Sequence, residues 1–435
     1  MRIRNHLLVW LLLTPWATAQ RGSKATPVAP TTPHGEKATR ALVGAFESAE
    51  HWALRAIVLL TLGEHWHPVG AEAVLAALRG KDKRLQVFAL EALLRTREDV
   101  LRGVASRDLV SELVGQQSVT KNPYFRQQLQ LVLTRLALAP PGKEQPVTDW
   151  QALWSRTQAT YAPTTWPEVE VEQRAGSRGT VTQTIVERAF DLSHAGLDVA
   201  ICIDCTGSMQ TTIDASRAAL DDLIALLRGI SPKLRLGIVQ YRDLGDLRNG
   251  ARMESPMTAQ VEAAREQLGH LVAGGGGDVP ESVEKGLEVC LAREMGWSKT
   301  ANKLIVVIGD APPHAENLDE CIALAKRAYE QPLTLGGKPG GPLTGPKSDA
   351  KVQPFVISTL GVGGNPETAR TFRAIAEAGG GAYGHIDVRN KGIDAEASRR
   401  ILEHILVISF GTRWEVEMKS FVEIFFRYRR EGCFK

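Results

Sequence analysis

The chain is short of cysteine, has no apolar run long enough to cross a bilayer, and carries no excess of either charge. Five cysteines in 435 residues (Cys202, Cys205, Cys290, Cys321 and Cys433) are too few, and odd in number, for a disulfide-stapled scaffold. Cys202 and Cys205 have the spacing of a redox pair. Cys202, however, falls inside an expected strand, where residues three apart face opposite sides, whereas the redox motif opens a helix. Buried thiols are expected instead. Lys and Arg number 52 against 49 Asp and Glu, a net charge of +3, which gives no basic field for nucleic acid. The 40 glycines and 22 prolines show no collagen-like period. Hydrophobic residues at 43% and charged residues at 23% exclude wholesale disorder. The length fits two or three domains.

Residues 1–19 have the layout of a secretory signal peptide. Arg2 and Arg4 give a positive start, Leu7–Leu13 is apolar, and Ala17-Thr18-Ala19 is a small-x-small cleavage signal. The apolar run is far below the roughly 20 residues a spanning helix needs. An exported protein with no transmembrane segment is therefore expected, periplasmic or at the cell surface. Residues 20–35 are a Pro/Thr/Ser-rich leader expected to be disordered.

Residues 36–140 are rich in Ala and Leu and carry apolar residues at helical spacing: Trp52, Ala56 and Leu60, then Leu85, Ala89 and Leu93, then Phe125, Leu129 and Leu133. Connectors at Gly63, Pro68, Gly80 and Asn122-Pro123 divide about six helical segments. The recurrence suggests stacked helical hairpins similar to HEAT-type repeats, with a plain bundle as the alternative. His65-Trp66-His67 invites a metal reading, but two histidines without a third ligand make a poor site. Residues 141–196 read as a bridge. In it Trp150, Trp154 and Trp166 are expected as packing anchors, and the alternation in residues 179–190 predicts a strand.

Residues 197–410 alternate strand and helix. Strands are expected at Asp198–Asp204, Leu234–Tyr241, Lys303–Gly309 and Phe355–Val362. Helices are expected at 211–228, 258–271, 281–294, 317–329, 367–378 and 394–407. Apolar strands between helices of this length predict an α/β fold, a doubly wound and mostly parallel sheet covered on both faces. A long Gly/Pro-rich insertion occupies residues 331–353. Residues 411–435 are aromatic and basic, and alternation in Arg413–Met418 fits a terminal strand or docking tail.

In such a sheet, ligands bind beyond the carboxyl ends of the strands. The first strand ends in Asp204-Cys205-Thr206-Gly207-Ser208-Met209, the third in Ile308-Gly309-Asp310-Ala311-Pro312-Pro313-His314. Between them Gly274–Gly277 leads into Asp278-Val279-Pro280-Glu281. Three separated loops bring carboxylates and hydroxyls to one rim, with Asp243 at the end of the second strand facing it too. Oxygen donors without a Cys or His pair suit a hard divalent cation. A helix cap alone would explain the first motif but not the other two loops. A phosphate cradle is disfavoured because no G-K-[ST] follows the glycines and two acids would repel phosphate.

The D-x-T-G-S-M motif resembles the metal-ion-dependent adhesion site of the von Willebrand factor A-type (VWA) domain, whose pattern is D-x-S-x-S; Thr206 stands where Ser is commoner. The G-D-V-P-E stretch is similar to the second metal loop in the A-type domains of integrin β subunits, and I-G-D-A-P-P-H resembles the third-loop Asp. The resemblance covers residues 197–408. It implies that Asp204, Thr206, Ser208, Glu281 and Asp310 form a metal site, with Asp278 competing for the place on the second loop. Thr206, Ser208 and Glu281 would be direct ligands. Asp204 and Asp310 would act through water or hold the hydroxyls. Many family members supply a Thr from the second loop, and this chain has none there. The implied cofactor is Mg²⁺, with Mn²⁺ or Ca²⁺ as alternatives, and the implied partner is a protein offering a carboxylate. No nucleophile–base couple accompanies the acids, and His314 reads as a loop-packing residue, so a non-enzymatic binding protein is expected. A metal-assisted hydrolase, or an envelope component with a purely structural metal, are the alternatives.

Overall fold

The computed structural model describes residues 36–64, 66–136, 149–164, 184–247, 249–276, 279–330, 353–386 and 395–434. The expected signal peptide and leader, the insertion up to residue 352, and Trp166 lie outside them. The first region is all helical: α1 (Glu36–Ser48), α2 (Trp52–Glu64), α3 (Ala71–Arg79), α4 (Lys83–Arg95), α5 (Glu98–Val104), α6 (Arg107–Val119), α7 (Pro123–Arg135) and α8 (Trp150–Thr157). Polar side chains start several of these helices. Asp82, Ser106, Asn122 and Asp149 each accept a backbone N–H of the first turn. Trp66 is buried and bonds Thr96 through its indole N–H. His67 caps a 3-10 turn, accepting from the N–H of Val69 at 3.3 Å, and is a structural residue. Trp150 and Trp154 are buried, the latter donating to Ser111 Oγ at 3.0 Å.

The second region alternates: α9 (Ile185–Ala195), β1 (Leu197–Asp204), α10 (Gln210–Ile230), β2 (Leu234–Tyr241), β3 (Ala251–Thr258), α11 (Val261–His270), α12 (Val283–Leu291), β4 (Asn302–Gly309), α13 (Leu318–Glu330), β5 (Phe355–Val362), α14 (Pro366–Ala378), β6 (Gly380–Ile386), α15 (Ala395–Phe410) and α16 (Glu415–Arg430). The sheet order is β3-β2-β1-β4-β5-β6, parallel throughout except for the antiparallel edge pair β2–β3. β1 is buried along its whole length. Its Val199, Ile201 and Ile203 point into one core with α10, α11 and α15, while Ala200 and Cys202 point into the other with α12, α13 and α14. This two-residue alternation also sends Cys202 and Cys205 into different cores, and all five cysteines are free thiols.

The structure corrects three expectations. Of the strand expected over 179–190, residues 179–183 lie outside the described residues and the rest enters helix α9, opened by a reciprocal capping box between Thr184 and Glu187. Residues 413–418, expected as a terminal strand or docking tail, are not a strand but a 3-10 turn and the start of helix α16, which packs on the helical region. The sheet also gains two edge strands, β3 and β6, that the apolar pattern did not mark.

The core of the helical region is continuous with one face of the sheet. A Cβ on Gly229 of α10 would lie 2.7 Å from Trp52 Nε1 and 2.9 Å from Ala53 Cβ, so side chains of α2 fill the space beside this glycine. Helix α16 folds back onto the helical region. Phe421 and Phe425 stack on Trp52, with ring centroids 6.1 and 5.8 Å apart, and Phe421 stacks on Phe88 at 5.0 Å. Beside them Glu91 is buried, accepts the Tyr428 hydroxyl at 2.7 Å, and lies 2.7 Å from Arg427 and 3.5 Å from Arg95. The Arg427 contact is an ion pair without hydrogen-bond geometry. Arg429 of the same helix pairs with Asp222 of α10.

Candidate metal centre

β1 has β2 on one side and β4 on the other, so the connections leave this central pair in opposite directions. At such a switch point the loops part and leave a crevice. Asp204 is the last residue of β1 and Asp310 the first after β4. The register pairs Ile203 with Ile308, so the two acids leave adjacent strand ends together. A Cβ on Gly309 would lie 3.4 Å from the Asp204 Cβ.

Asp204 is 0% exposed. Its Oδ1 accepts the backbone N–H of Thr206 at 2.8 Å and the Thr206 hydroxyl at 2.7 Å. Its Oδ2 has no partner. The Thr206 proton is thus committed to Asp204, and the lone pairs of the hydroxyl are left for an electrophile. Ser208 follows on the 3-10 turn Gly207–Met209 that opens α10, and is exposed.

Glu281 is 3% exposed and its Oε2 is also unpartnered. Its N–H donates to Pro312 O at 3.0 Å, which ties this loop to the one beyond β4. The glycine loop lies between them. Gly207 donates to Gly275 O at 3.2 Å and Gly274 donates to Cys205 O at 3.0 Å. Gly276 has a φ of 78° and donates to Asp246 Oδ2 at 2.7 Å. A Cβ there would stand 3.0 Å from the Thr206 Cβ and 3.5 Å from Glu281 Oε1. Glycine is required both by the left-handed backbone and by the gap that Thr206 and Glu281 flank.

The electrostatics fit this geometry. Burial raises Asp204 to about 7, and Asp310 pushes the same way, against the Thr206 hydrogen bonds and Arg242. Burial raises Glu281 to about 8, reinforced by Asp204, Asp243, Asp310 and Asp246. Two buried carboxylate oxygens without partners, in a field of like charge, are what a cation would neutralise. The donors are all oxygen, which suits a hard ion. Among the described residues no group of three His, Cys, Asp or Glu side chains could hold a metal; the only other oxygen side chains on the loop after β1 are the hydroxyls of Thr206 and Ser208.

Asp204 and Thr206 are hydrogen-bonded, Gly276 lies between Thr206 and Glu281, and Asp310 follows the strand end next to Asp204. Ser208 stands on the same turn as Thr206, and Asp278 lies outside the described residues. Asp243 is not free to serve a second ion by itself: its Oδ1 lies 2.8 Å from His314 Nε2. The sequence reading missed Asp246, which pins the glycine loop by accepting the Gly276 N–H. It also missed Glu284, one turn beyond Glu281, which is fully buried with neither oxygen partnered. Burial raises its carboxyl and favours the neutral acid.

Residues 198–391 match the family model of the von Willebrand factor type A domain. A protein named as an ariadne-like RING finger protein of Acanthamoeba polyphaga mimivirus is 26% identical over 122 residues, 28% of this chain and 12% of that protein. The chain thus spans a small part of that relative's length. Similar solved structures are the SpRpn10 VWA domain (13% identity, 46% of this chain and 93% of that one, TM-score 0.33) and the conserved hypothetical protein BatB from Bacteroides thetaiotaomicron (14%, 50% and 100%, 0.34). A third is the vWF domain of the type V pili tip protein Mfa5 from Porphyromonas gingivalis (14%, 48% and 94%, 0.30). At these identities and scores the likenesses say nothing of function. The family match joins with the sheet order and the acid-and-hydroxyl loop after β1: residues 198–391 are a von Willebrand factor type A domain.

Proposed function

We propose that the VWA domain holds a hard divalent cation, Mg²⁺ before Mn²⁺ or Ca²⁺, and captures an acidic side chain of a partner protein. Thr206, Ser208 and Glu281 would hold the ion, with Asp204 and Asp310 behind them. When bound, the ion supplies a Lewis-acidic point with a coordination position left for a carboxylate. Asp204 orients the Thr206 hydroxyl, and the pinned glycine loop keeps Cβ atoms out of the gap. The observation that carries this reading is the pair of buried, unpartnered oxygens, Asp204 Oδ2 and Glu281 Oε2.

The protein would act outside the cytoplasm as a non-enzymatic binding or scaffold protein. Its helical region, a stack of hairpins of HEAT-like kind, would add a second interaction surface. The signal-peptide layout of residues 1–19 supports export, and no described helix is long and apolar enough to cross a membrane. His314 engages Asp243, and Ser282 Oγ is buried without a partner, which speaks against a serine–histidine couple at this rim. Calorimetric titration with Mg²⁺ tests the assignment: the native chain should bind and Asp204→Ala should not. Equal binding by both would remove the metal reading, and chelator-sensitive turnover of an ester, phosphoester or peptide would replace it with a hydrolase.

A further inference from the structure

Among the described residues seven large hydrophobic side chains stand exposed. Four of them, Val119, Leu131, Tyr329 and Val416, sit singly on helices α6, α7, α13 and α16, and such scattered exposure is ordinary. The other three, Leu244, Val272 and Val279, are 54%, 63% and 64% exposed and all lie on the loops of the metal rim. Leu244 follows Asp243 directly, Val272 precedes the glycine loop, and Val279 comes two residues before Glu281.

These loops are held, not loose. Leu244 N–H is bound by Asp243 Oδ1 at 2.7 Å. The carbonyl of Val272 accepts from Arg242 Nη2 at 2.7 Å. Gly276 is fixed to Asp246, and Ser282 N–H reaches Arg242 O at 3.4 Å. Arg242 and Asp246 thus fasten the loop after β2 to the glycine loop, and the three exposed aliphatic side chains belong to these loops and to the segment leading to Glu281. Aliphatic groups held in water by ordered backbone gain most when a partner covers them.

Resting on the metal reading above, we infer that the partner engages this rim through an acidic residue flanked by aliphatic or aromatic residues. The carboxylate is placed by charge complementarity with the cation, and the flanking side chains cover Leu244, Val272 and Val279. Specificity then lies in the neighbours of the acid, because any exposed Asp or Glu offers the same carboxylate.

The test uses the full chain, a random seven-residue peptide library, and panning in Mg²⁺ and in EDTA. The expected result is an Mg²⁺-dependent pool rich in Asp or Glu with Leu, Ile, Val or Phe beside it. A peptide synthesised from that pool should bind Leu244→Ser/Val272→Ser about tenfold or more weakly, since leaving one aliphatic side chain uncovered weakens binding by about a tenfold step. That variant should still titrate Mg²⁺ like the native chain. Acidic peptides without apolar neighbours, or a selected peptide indifferent to the double variant, would overturn the rim and leave the metal reading standing. A pool independent of Mg²⁺, or one of basic peptides favoured in EDTA, would overturn both.

Discussion

Two buried carboxylate sites in this molecule are built in opposite ways. Glu91, between the helical region and α16, is fully engaged: Tyr428 donates to it and two arginines stand within ion-pair distance. Asp204 and Glu281, at the sheet rim, are equally hidden from water, yet each keeps one oxygen without a partner. The fold satisfies buried charge where the charge serves cohesion. At the rim the protein itself offers Asp204 Oδ2 and Glu281 Oε2 no partner.

The contrast is sharpest in mutants. Glu91→Ala leaves Arg427 facing a half-buried void and should cost about 3 kcal/mol in denaturant unfolding, as broken buried pairs do. A loss below about 1 kcal/mol would make the two sites alike. Mg²⁺ at a hundredfold over its dissociation constant should raise stability by about 2.7 kcal/mol, read as a melting-temperature shift that chelator reverses. Glu91→Gln should keep that shift and Asp204→Ala should lose it.

A smaller effect has the opposite sign. In metal-free protein Glu281→Gln removes an unpaired buried charge and should be neutral or stabilising by about 1 kcal/mol at pH 8.5; clear destabilisation would show that Glu281 is already satisfied. The pH dependence follows. Asp204 and Glu281 hold their protons more tightly folded than unfolded, at about 7 and about 8. Their contribution to stability is full below the ordinary carboxyl range near pH 4 and is lost as pH rises through 7 and 8. Metal-free native protein should therefore weaken over that window, and Asp204→Asn/Glu281→Gln should weaken less. A change of stability alone is expected at the capping box: Thr184→Ala should cost about 1 kcal/mol and leave Mg²⁺ titration untouched.

The loop after β1 was legible as a candidate because its chemistry is local. Asp204, Thr206 and Ser208 share five residues, and strands as apolar as β1 and β4 announce where they end. The central strands were legible for the same reason. The edges were not. β3 contains Arg252, Glu254 and Pro256, tolerable only where one side of the strand is unpaired, and β6 begins with two glycines. The helix α9 was misread as a strand because short alternation outweighed the Thr184–Glu187 spacing, which is itself a helix-start signal. For α16 only the strand alternative failed, because the alternation was read from its first turn alone. Met418, Phe421, Val422 and Phe425 carry the helical period, and all four are buried. Asp246 could not be found by motif, because its role is a hydrogen bond to a backbone 30 residues away.

The bond from Tyr428 to Glu91 joins positions 337 residues apart. The aromatic stack on Trp52 therefore stays open, its apolar faces wet, while the entire sheet domain is being made. Ribosome-bound intermediates should expose that hydrophobic groove until α16 is made, a contact of high sequence separation that closes late. Cutting the helical region free as an independent fragment would leave the same groove bare.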